Sequence, residues 1–209
     1  AGLGVWSSGD GTPGSDTYAI SGSGVFVSAD QDFGGCLEVL KDTATSYVRY
    51  MGETPVLSGC YLQVRATVKA VAGPLPAVRI SGWAGKAGGS AATGLTTVGP
   101  STQLTTYGDV VEITAIIAIA DKTGVDMVWD GASYGHLGID LTGASGGLVR
   151  IDDIVVEDVT SYFARDMMSV VDVRDYGAKG DGTTDDTTAF EAADAVANGR
   201  TILVSEGSF

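Results

Sequence analysis

The feature that most constrains the fold of this chain is an alternation of apolar and polar side chains with a period of two residues. Residues 61–70 show it most clearly. One face would carry Leu62, Val64, Ala66, Val68 and Ala70. The other would carry Gln63, Arg65, Thr67 and Lys69. A period of two is that of a β-strand, so the segment predicts a half-buried strand with one wet face.

Further strand candidates follow at spacings of roughly ten residues, with glycine, serine, threonine and aspartate between them. They are residues 25–28, 36–40, 46–51, 77–83, 126–129 and 137–141. Residues 111–119 carry additional apolar side chains, which predicts a strand buried on both faces. No helical periodicity occurs before residue 184. Residues 1–162 therefore predict a β-sandwich.

Composition and charge exclude several classes of partner. Hydrophobic residues make up 44% of the chain and charged residues 18%, which indicates a globular protein. The net charge is -14, so nucleic acid and anionic membrane surfaces are disfavoured as partners. The longest apolar stretch, residues 110–120, contains Glu112 and is far shorter than the roughly 20 residues that span a bilayer. We expect no membrane insertion, and Ala1–Trp6 does not read as an intact signal peptide.

Two cysteines, Cys36 and Cys60, each open an apolar run. They would pair across neighbouring strands if the protein matures in an oxidising compartment. The alternative is two reduced cysteines in the core.

The last predicted strand of the sandwich, residues 148–159, changes phase at Asp152 and Asp153. Val149 and Ile151 occupy odd positions, whereas Ile154 and Val156 occupy even ones. One extra residue in a strand is a β-bulge, which would turn both carboxylates off the regular pleat. Two interpretations stay open: a solvated edge bulge, or a structural Ca²⁺ site that uses one of these carboxylates with backbone carbonyls.

The strand carrying this bulge resembles the closing strands of jelly-roll carbohydrate-binding modules. The resemblance rests on the runs at residues 147–158 and 138–143, and on Gly35–Val39 and Tyr61–Lys69. It implies a jelly-roll fold, and a structural calcium near the closing acidic strand.

Three aromatic residues are candidates for carbohydrate binding, because aromatic faces stack on sugar rings. Trp83, Trp129 and Tyr134 flank glycine-rich segments of the predicted sandwich. Packing in the core or at an interface is the alternative for each tryptophan. His136 is the only histidine and has no nucleophile motif nearby, so we expect an ordinary loop or strand residue with its hydrogen bonds satisfied.

A second pattern begins after a predicted linker at residues 163–169. Residues 170–173 predict a short strand, and residues 176–182 a loop in which three glycines accept positive φ. Thr184 or Asp185 would cap a helix that runs to about Ala197 and ends at Asn198 and Gly199. Residues 201–204 predict another strand. The expected apolar face of the helix is Phe190, Ala193, Val196 and Ala197.

The acidic residues Asp181, Asp185 and Asp186 invite a catalytic or metal-binding interpretation. Turn and helix-cap formation is the better one, because short carboxylates near a helix start bond local backbone N–H groups. A phosphate-binding loop is disfavoured, since no Gly-Lys-Ser/Thr follows the glycines.

Residues 171–209 resemble the opening of the pectate-lyase-like superfamily, which includes polygalacturonase-like hydrolases and phage tailspikes. The match runs through Asp-Tyr-Gly-Ala-Lys-Gly-Asp-Gly at 175–182, Thr-Asp-Asp-Thr at 184–187, and Gly-x-Thr-Ile from Gly199. It implies that the helix caps a right-handed parallel β-helix, of which residues 201–204 are the first strand. Catalysis in that family lies further along the solenoid, so no catalytic site is expected in this chain.

The sequence thus predicts a mainly β chain: a jelly-roll sandwich, a linker, and the cap of a truncated β-helix. The favoured function is the attachment or receptor-binding part of a virion or phage-like particle spike, a homotrimer at the particle surface directed at cell-surface polysaccharide. The alternative is a carbohydrate-binding module before the β-helix of a secreted polysaccharide lyase or glycoside hydrolase. No cofactor is required apart from the structural calcium considered above.

Overall fold

The computed structural model describes the backbone of residues 18–21, and residues 23–164 and 169–209 in full. The chain divides into two compact units, and the division falls between Asp158 and Val159. The predicted sandwich boundary at residue 162 lies a short way beyond it, and part of the predicted linker, residues 165–168, lies outside the described residues. None of the described helices is long and apolar enough to cross a membrane.

The sequence predicts a β-sandwich, and the first unit consists of two six-stranded sheets. The front sheet contains β1 (Tyr18–Ser21), β4 (Ser46–Tyr50), β11 (Tyr134–Thr142), β7 (Ala77–Gly85) and β8 (Thr102–Gln103) in that order, with β5 (Thr54–Pro55) also paired to β11. The back sheet contains β10 (Met127–Val128), β9 (Val111–Ala118), β6 (Tyr61–Ala72), β12 (Gly147–Asp158), β3 (Gly34–Lys41) and β2 (Ser23–Asp30). Every pair of strands is antiparallel except β10 with β9.

The core of the sandwich lies between the inner faces of these sheets. Strand β6 contributes Val64, Ala66, Val68 and Ala70, which are all buried and alternate as the sequence predicts. Strands β7 and β11 contribute Val78, Ile80, Leu137, Ile139 and Leu141 from the front sheet. Burying these aliphatic side chains holds the two sheets together, since each contributes about 1.5–3 kcal/mol when fully removed from water.

Two details of the predicted burial are wrong. Lys69, placed on the wet face of β6, is only 6% exposed because its ammonium group pairs with Asp30 and Asp32. Strand β9 is not buried on both faces: Glu112 and Thr114 are exposed, and Glu112 lies 3.7 Å from the guanidinium of Arg65. Ion pairing buries Lys69 despite its place on the polar face, whereas in β9 the polar side chains Glu112 and Thr114 simply lie on the outer face of the back sheet.

The bulge in β12 is confirmed. Its register with β6 shifts between Asp152 and Val155, and Asp153 takes a positive φ of 50°. Asp152 is buried whereas Asp153 is exposed, so the two carboxylates do not point to one place. The bulge adds one residue to β12, and the pairing of β12 with β6 resumes after it. Strand β12 lies two strands from the edge of the sheet.

Cys36 and Cys60 are both free thiols. Cys36 lies in β3 and Cys60 directly precedes β6, and strand β12 runs between those two strands. The pairing across neighbouring strands is therefore wrong, because the strands that carry the cysteines are not neighbours.

The second unit contains α1 (Thr160–Ala164), β13 (Val170–Asp172), a 3-10 helix (Val173–Tyr176), α2 (Thr187–Ala197) and β14 (Thr201–Leu203). Helix α1 is a single turn that the sequence does not reveal, since five residues are too few for a helical period to show. Strands β13 and β14 pair in parallel, with α2 in the connection between them.

Helix α2 buries Ala189, Ala193 and Ala197 against Val171 and Val173 of the preceding strand and 3-10 helix. Phe190 packs at the edge of this cluster, but Val196 is exposed, so the predicted apolar face is shifted. The helix ends where Asn198 takes the left-handed conformation, as predicted.

Aspartates build the loop before α2, as the sequence predicts. Asp181 accepts hydrogen bonds from the N–H groups of Thr183 and Thr184, at 3.0 and 2.7 Å. These bonds hold the pKa of the Asp181 carboxyl well below its ordinary value. The predicted cap is wrong in detail: α2 begins after Asp186, whose carboxylate instead accepts the N–H groups of Lys179 and Gly180. That this unit opens a parallel β-helix stays a prediction.

Candidate functional site

The outer face of the front sheet collects polar and aromatic side chains from three adjacent strands. In β7, Arg79, Ser81 and Trp83 alternate with core residues. The same alternation in β11 turns Tyr134, His136 and Asp140 outward. The register places His136 opposite Trp83, and Asp140 opposite both Arg79 and Tyr47. We call this surface the front face. Its members are Tyr47, Arg49, Arg79, Ser81, Trp83, Tyr134, His136 and Asp140.

One end of the front face is an aromatic cluster. The rings of Trp83 and His136 are stacked, with centroids 5.2 Å apart and an interplanar angle of 22°. Tyr134 meets Trp83 at 5.9 Å and His136 at 5.6 Å. Trp83 and Tyr134 are half-buried, so each keeps part of its surface open to solvent. Gly85 lies opposite Tyr134, and a Cβ there would collide with both rings.

His136 forms the buried base of this cluster. Its residue exposure is 9%, and its Nδ1 atom has no hydrogen-bond partner among the described residues. Burial lowers the pKa of His136, opposed by a hydrogen bond with the backbone of Gly52 and the charge of Glu53. The imidazole is therefore neutral near pH 7. This histidine differs from the ordinary satisfied residue that the sequence predicts.

The other end of the front face is an ionic group centred on Asp140, which is 4% exposed. Its Oδ1 atom accepts hydrogen bonds from Arg49 at 2.6 Å and from the hydroxyl of Ser81 at 2.8 Å. Its Oδ2 atom accepts from Arg79, at 3.2 Å from Nη2 and 3.4 Å from Nε. Arg49 also stacks over the ring of Tyr47, with its guanidinium carbon 4.8 Å from the ring centroid.

Trp129 is not on the front face, and its proposed role in carbohydrate binding is wrong. The side chain is fully buried in the core, and its indole N–H donates to the carbonyl of Thr96 at 2.9 Å. Gly82 and Gly135 leave space for the indole, since a Cβ on either would collide with it. With no exposed ring face, Trp129 has no surface to offer a sugar.

The predicted metal ligands Asp152 and Asp153 are not brought together. No group of three or more His, Cys, Asp or Glu side chains within the described residues has the arrangement to hold a metal ion. The Asp152 carbonyl already accepts a hydrogen bond from the Thr67 hydroxyl at 3.1 Å. These contacts do not favour a calcium site built on the two carboxylates. The structural calcium stays a prediction, which a shift in unfolding temperature on adding a chelator would test.

The outer face of the back sheet carries a second ionic group, which we call the back cluster. Asp30 accepts hydrogen bonds from Lys69 and Arg150, each at 2.6 Å. Lys69 also pairs with Asp32 at 2.6 Å, and Arg150 with Glu38 at 2.8 Å. The hydrogen bond from Lys69 is the largest of the interactions that hold the pKa of Asp30 well below its ordinary value.

Sequence reasoning finds Trp83 and Tyr134 but misses Arg49, Arg79 and Asp140. The available signal is the strand parity: Arg79 and Trp83 are four residues apart in one strand, so they share a face. The pairing of Asp140 with Arg49 joins positions 91 residues apart, and nothing local in the sequence predicts it.

No family model and no curated protein matches the sequence. Solved structures match the sandwich. The CBM22-1 xylan-binding domain of Paenibacillus barcinonensis Xyn10C matches with a TM-score of 0.51 and 16% identity, over 74% of this chain and 92% of that one. A family 22 xylan-binding domain has a TM-score of 0.51 at 8% identity, over 72% and 91% of the two chains.

A third match is to the CBM22-1 and GH10 modules of Clostridium thermocellum xylanase 10B, solved with xylohexaose. Its TM-score is 0.50 at 14% identity, over 67% of this chain and 25% of that one. The sandwich has the jelly-roll fold of a carbohydrate-binding module. At these identities the likeness shows the fold alone, and the predicted mainly β class and jelly roll are confirmed.

Proposed function

We propose that the sandwich is a carbohydrate-binding module and that it holds a polysaccharide on the front face. The observation that carries this proposal is the pair of half-buried rings, Trp83 and Tyr134, beside hydrogen-bonding groups on one outer face of a jelly roll. Aromatic rings offer an apolar surface to the C–H face of a sugar. Arg79 lies on the same strand as Trp83, and its partly exposed guanidinium offers N–H donors to the hydroxyl groups of the sugar.

The same module serves either of two larger settings. One is the attachment part of a virion or phage-like particle spike, homotrimeric and directed at cell-surface polysaccharide. The other is the binding module of a secreted polysaccharide lyase or glycoside hydrolase. The fold supports the polysaccharide-binding part, which both settings share. The second setting is favoured because the matching structures are xylan-binding modules, one of them solved together with the GH10 module of a xylanase. The spike setting depends on the resemblance of residues 171–209 together with the acidic charge of the chain, and the assembly state of the full-length protein tests it.

Affinity electrophoresis through gels that contain soluble polysaccharides tests the binding proposal. The chain should be retarded by at least one plant or microbial glycan. Trp83→Ala should weaken that binding by about tenfold or more, because it removes one of the two half-buried rings of the cluster.

Phe26→Ala is the matched control. Phe26 is an exposed aromatic residue on the edge strand of the back sheet, so its removal should leave glycan binding unchanged. Equal losses in the two variants, or no retardation by any polysaccharide, would overturn the proposal.

A further inference from the structure

The ionic group of the front face is not electrically balanced. Two guanidinium groups, of Arg49 and Arg79, meet the single carboxylate of Asp140. Arginine is always protonated in proteins, so the group carries one uncompensated positive charge. The chain as a whole has a net charge of -14. The local excess of positive charge on the front face therefore runs against the charge of the rest of the chain.

The surplus charge belongs to Arg79 rather than Arg49. The Arg49 side chain is 12% exposed, bonds Asp140 at 2.6 Å, and donates through Nη1 to the carbonyls of Val48 and Ile139. The Arg79 side chain is 27% exposed and reaches Asp140 only at 3.2 and 3.4 Å. Its Nη1 atom makes no hydrogen bond with any residue that the structure describes. Arg79 therefore presents charge and free donors to solvent.

Glu53, whose charge acts on His136 at the aromatic end of the front face, is too distant to neutralise Arg79. Glu53 directly precedes β5, whose Thr54 pairs with Gly135, five residues along β11 from Asp140. Five residues of strand span roughly 16 Å, well beyond the Debye length of about 8 Å at physiological salt. The two ends of the front face thus differ in charge.

We infer that the front face takes an acidic polysaccharide, and that Arg79 receives the carboxylate of a uronic acid unit while Trp83 stacks on a sugar ring. This inference rests on the proposed function and adds the chemical class of the ligand. The planar guanidinium matches a carboxylate with two parallel hydrogen bonds. Arg79 and Trp83 are four residues apart on β7, about 13 Å, so the two contacts fall on different units of one glycan chain.

Paired polysaccharides with the same backbone test the inference. Polygalacturonate is compared with its methyl-esterified form, and glucuronoxylan with xylan that lacks uronic acid, by isothermal titration of the chain. The charged member of at least one pair should bind about tenfold more tightly, the size of one charge-assisted hydrogen bond. Arg79→Gln should reduce that preference to about twofold or less.

Arg65→Gln is the matched control. Arg65 lies on the outer face of the back sheet, and its substitution removes the same charge as Arg79→Gln. It should keep the full preference. A preference that survives in Arg79→Gln overturns the inference, as does equal binding of both members of each pair; in either case the proposed carbohydrate binding stands. Failure to bind any polysaccharide overturns both. If Arg79→Gln does not fold, the binding of the wild-type chain to the charged and uncharged members of each pair decides the inference by itself.

Discussion

The two outer faces of the sandwich each hold a carboxylate between two cations, yet the groups around them differ. In the back cluster, Lys69 and Arg150 meet three carboxylates, those of Asp30, Asp32 and Glu38. On the front face, two guanidinium groups meet Asp140 alone. The back cluster satisfies its cations with protein groups, whereas the front face leaves donors for something else.

The two ionic groups also differ in whether neighbouring residues lie over them. The turn between β2 and β3 closes over the back cluster: Asp30 accepts the N–H groups of Asp32 and Phe33, and the Lys69 ammonium lies 4.9 Å from the Phe33 ring centroid. The front face has half-buried rings beside its charges instead. Charge balance and cover together separate an ionic group that stabilises the fold from one that suits a ligand.

The largest expected contrast between the faces is in stability. Lys69→Met should lower the free energy of unfolding by about 3 kcal/mol, because it leaves the buried carboxylate of Asp30 short of a partner. Arg79→Met should cost less than about 1 kcal/mol, since Arg49 and Ser81 still hold Asp140. Urea denaturation followed by tryptophan fluorescence measures both. Equal losses would mean that the front group is structural too.

The faces should also respond to different ranges of pH. Burial lowers the pKa of His136 below its ordinary 6.5, so the unfolded chain takes up the proton first as the pH falls. Its contribution to stability is complete above pH 6.5 and declines below it, by at most about 1.4 kcal/mol per pH unit. In the back cluster, the hydrogen bond from Lys69 lowers the pKa of Asp30 below 3.8, so that stability is lost only in stronger acid.

Unfolding temperatures measured by calorimetry between pH 7.5 and 5 report the contribution of the front face to the pH dependence of stability. His136→Phe keeps an aromatic ring under Trp83 but cannot titrate, and it should remove the decline. Lys69→Met should retain it. The chain has a single histidine, so a decline of the same size in His136→Phe would contradict the assignment.

The smallest expected effect comes from two glycines beside aromatic rings. Gly85→Ala would press a Cβ against Trp83 and Tyr134, so we expect glycan affinity to fall a few-fold and the free energy of unfolding to fall by about 1 kcal/mol, the lower end of the cost of overpacking. Gly35→Ala places the same methyl group against the ring of Phe26 on the back sheet. Titration with the polysaccharide bound by the wild type should show no change for Gly35→Ala. A matching loss there would argue against binding on the front face.

Much of the local structure was predictable because it follows from short-range rules. The alternation of β6, the phase change at Asp152 and Asp153, and the aspartate turns before α2 each depend on neighbours in the chain. Burial at Lys69 was not predictable in this way. It depends on Asp30, a residue in another strand whose carboxylate replaces the water that a lysine normally requires.

The candidate site, too, was predictable from the sequence only in part. The sequence by itself determined a jelly-roll sandwich, and strand parity put Trp83 and Arg79 on one face. It did not decide between Trp83 and Trp129, which both flank glycine-rich segments of the sequence. Only the tertiary structure showed that Gly82 and Gly135 hold the Trp129 indole inside, and that Asp140 meets Arg49 and Arg79 across three strands. Exposure and charge balance arise from contacts between distant segments, and no local pattern encodes them.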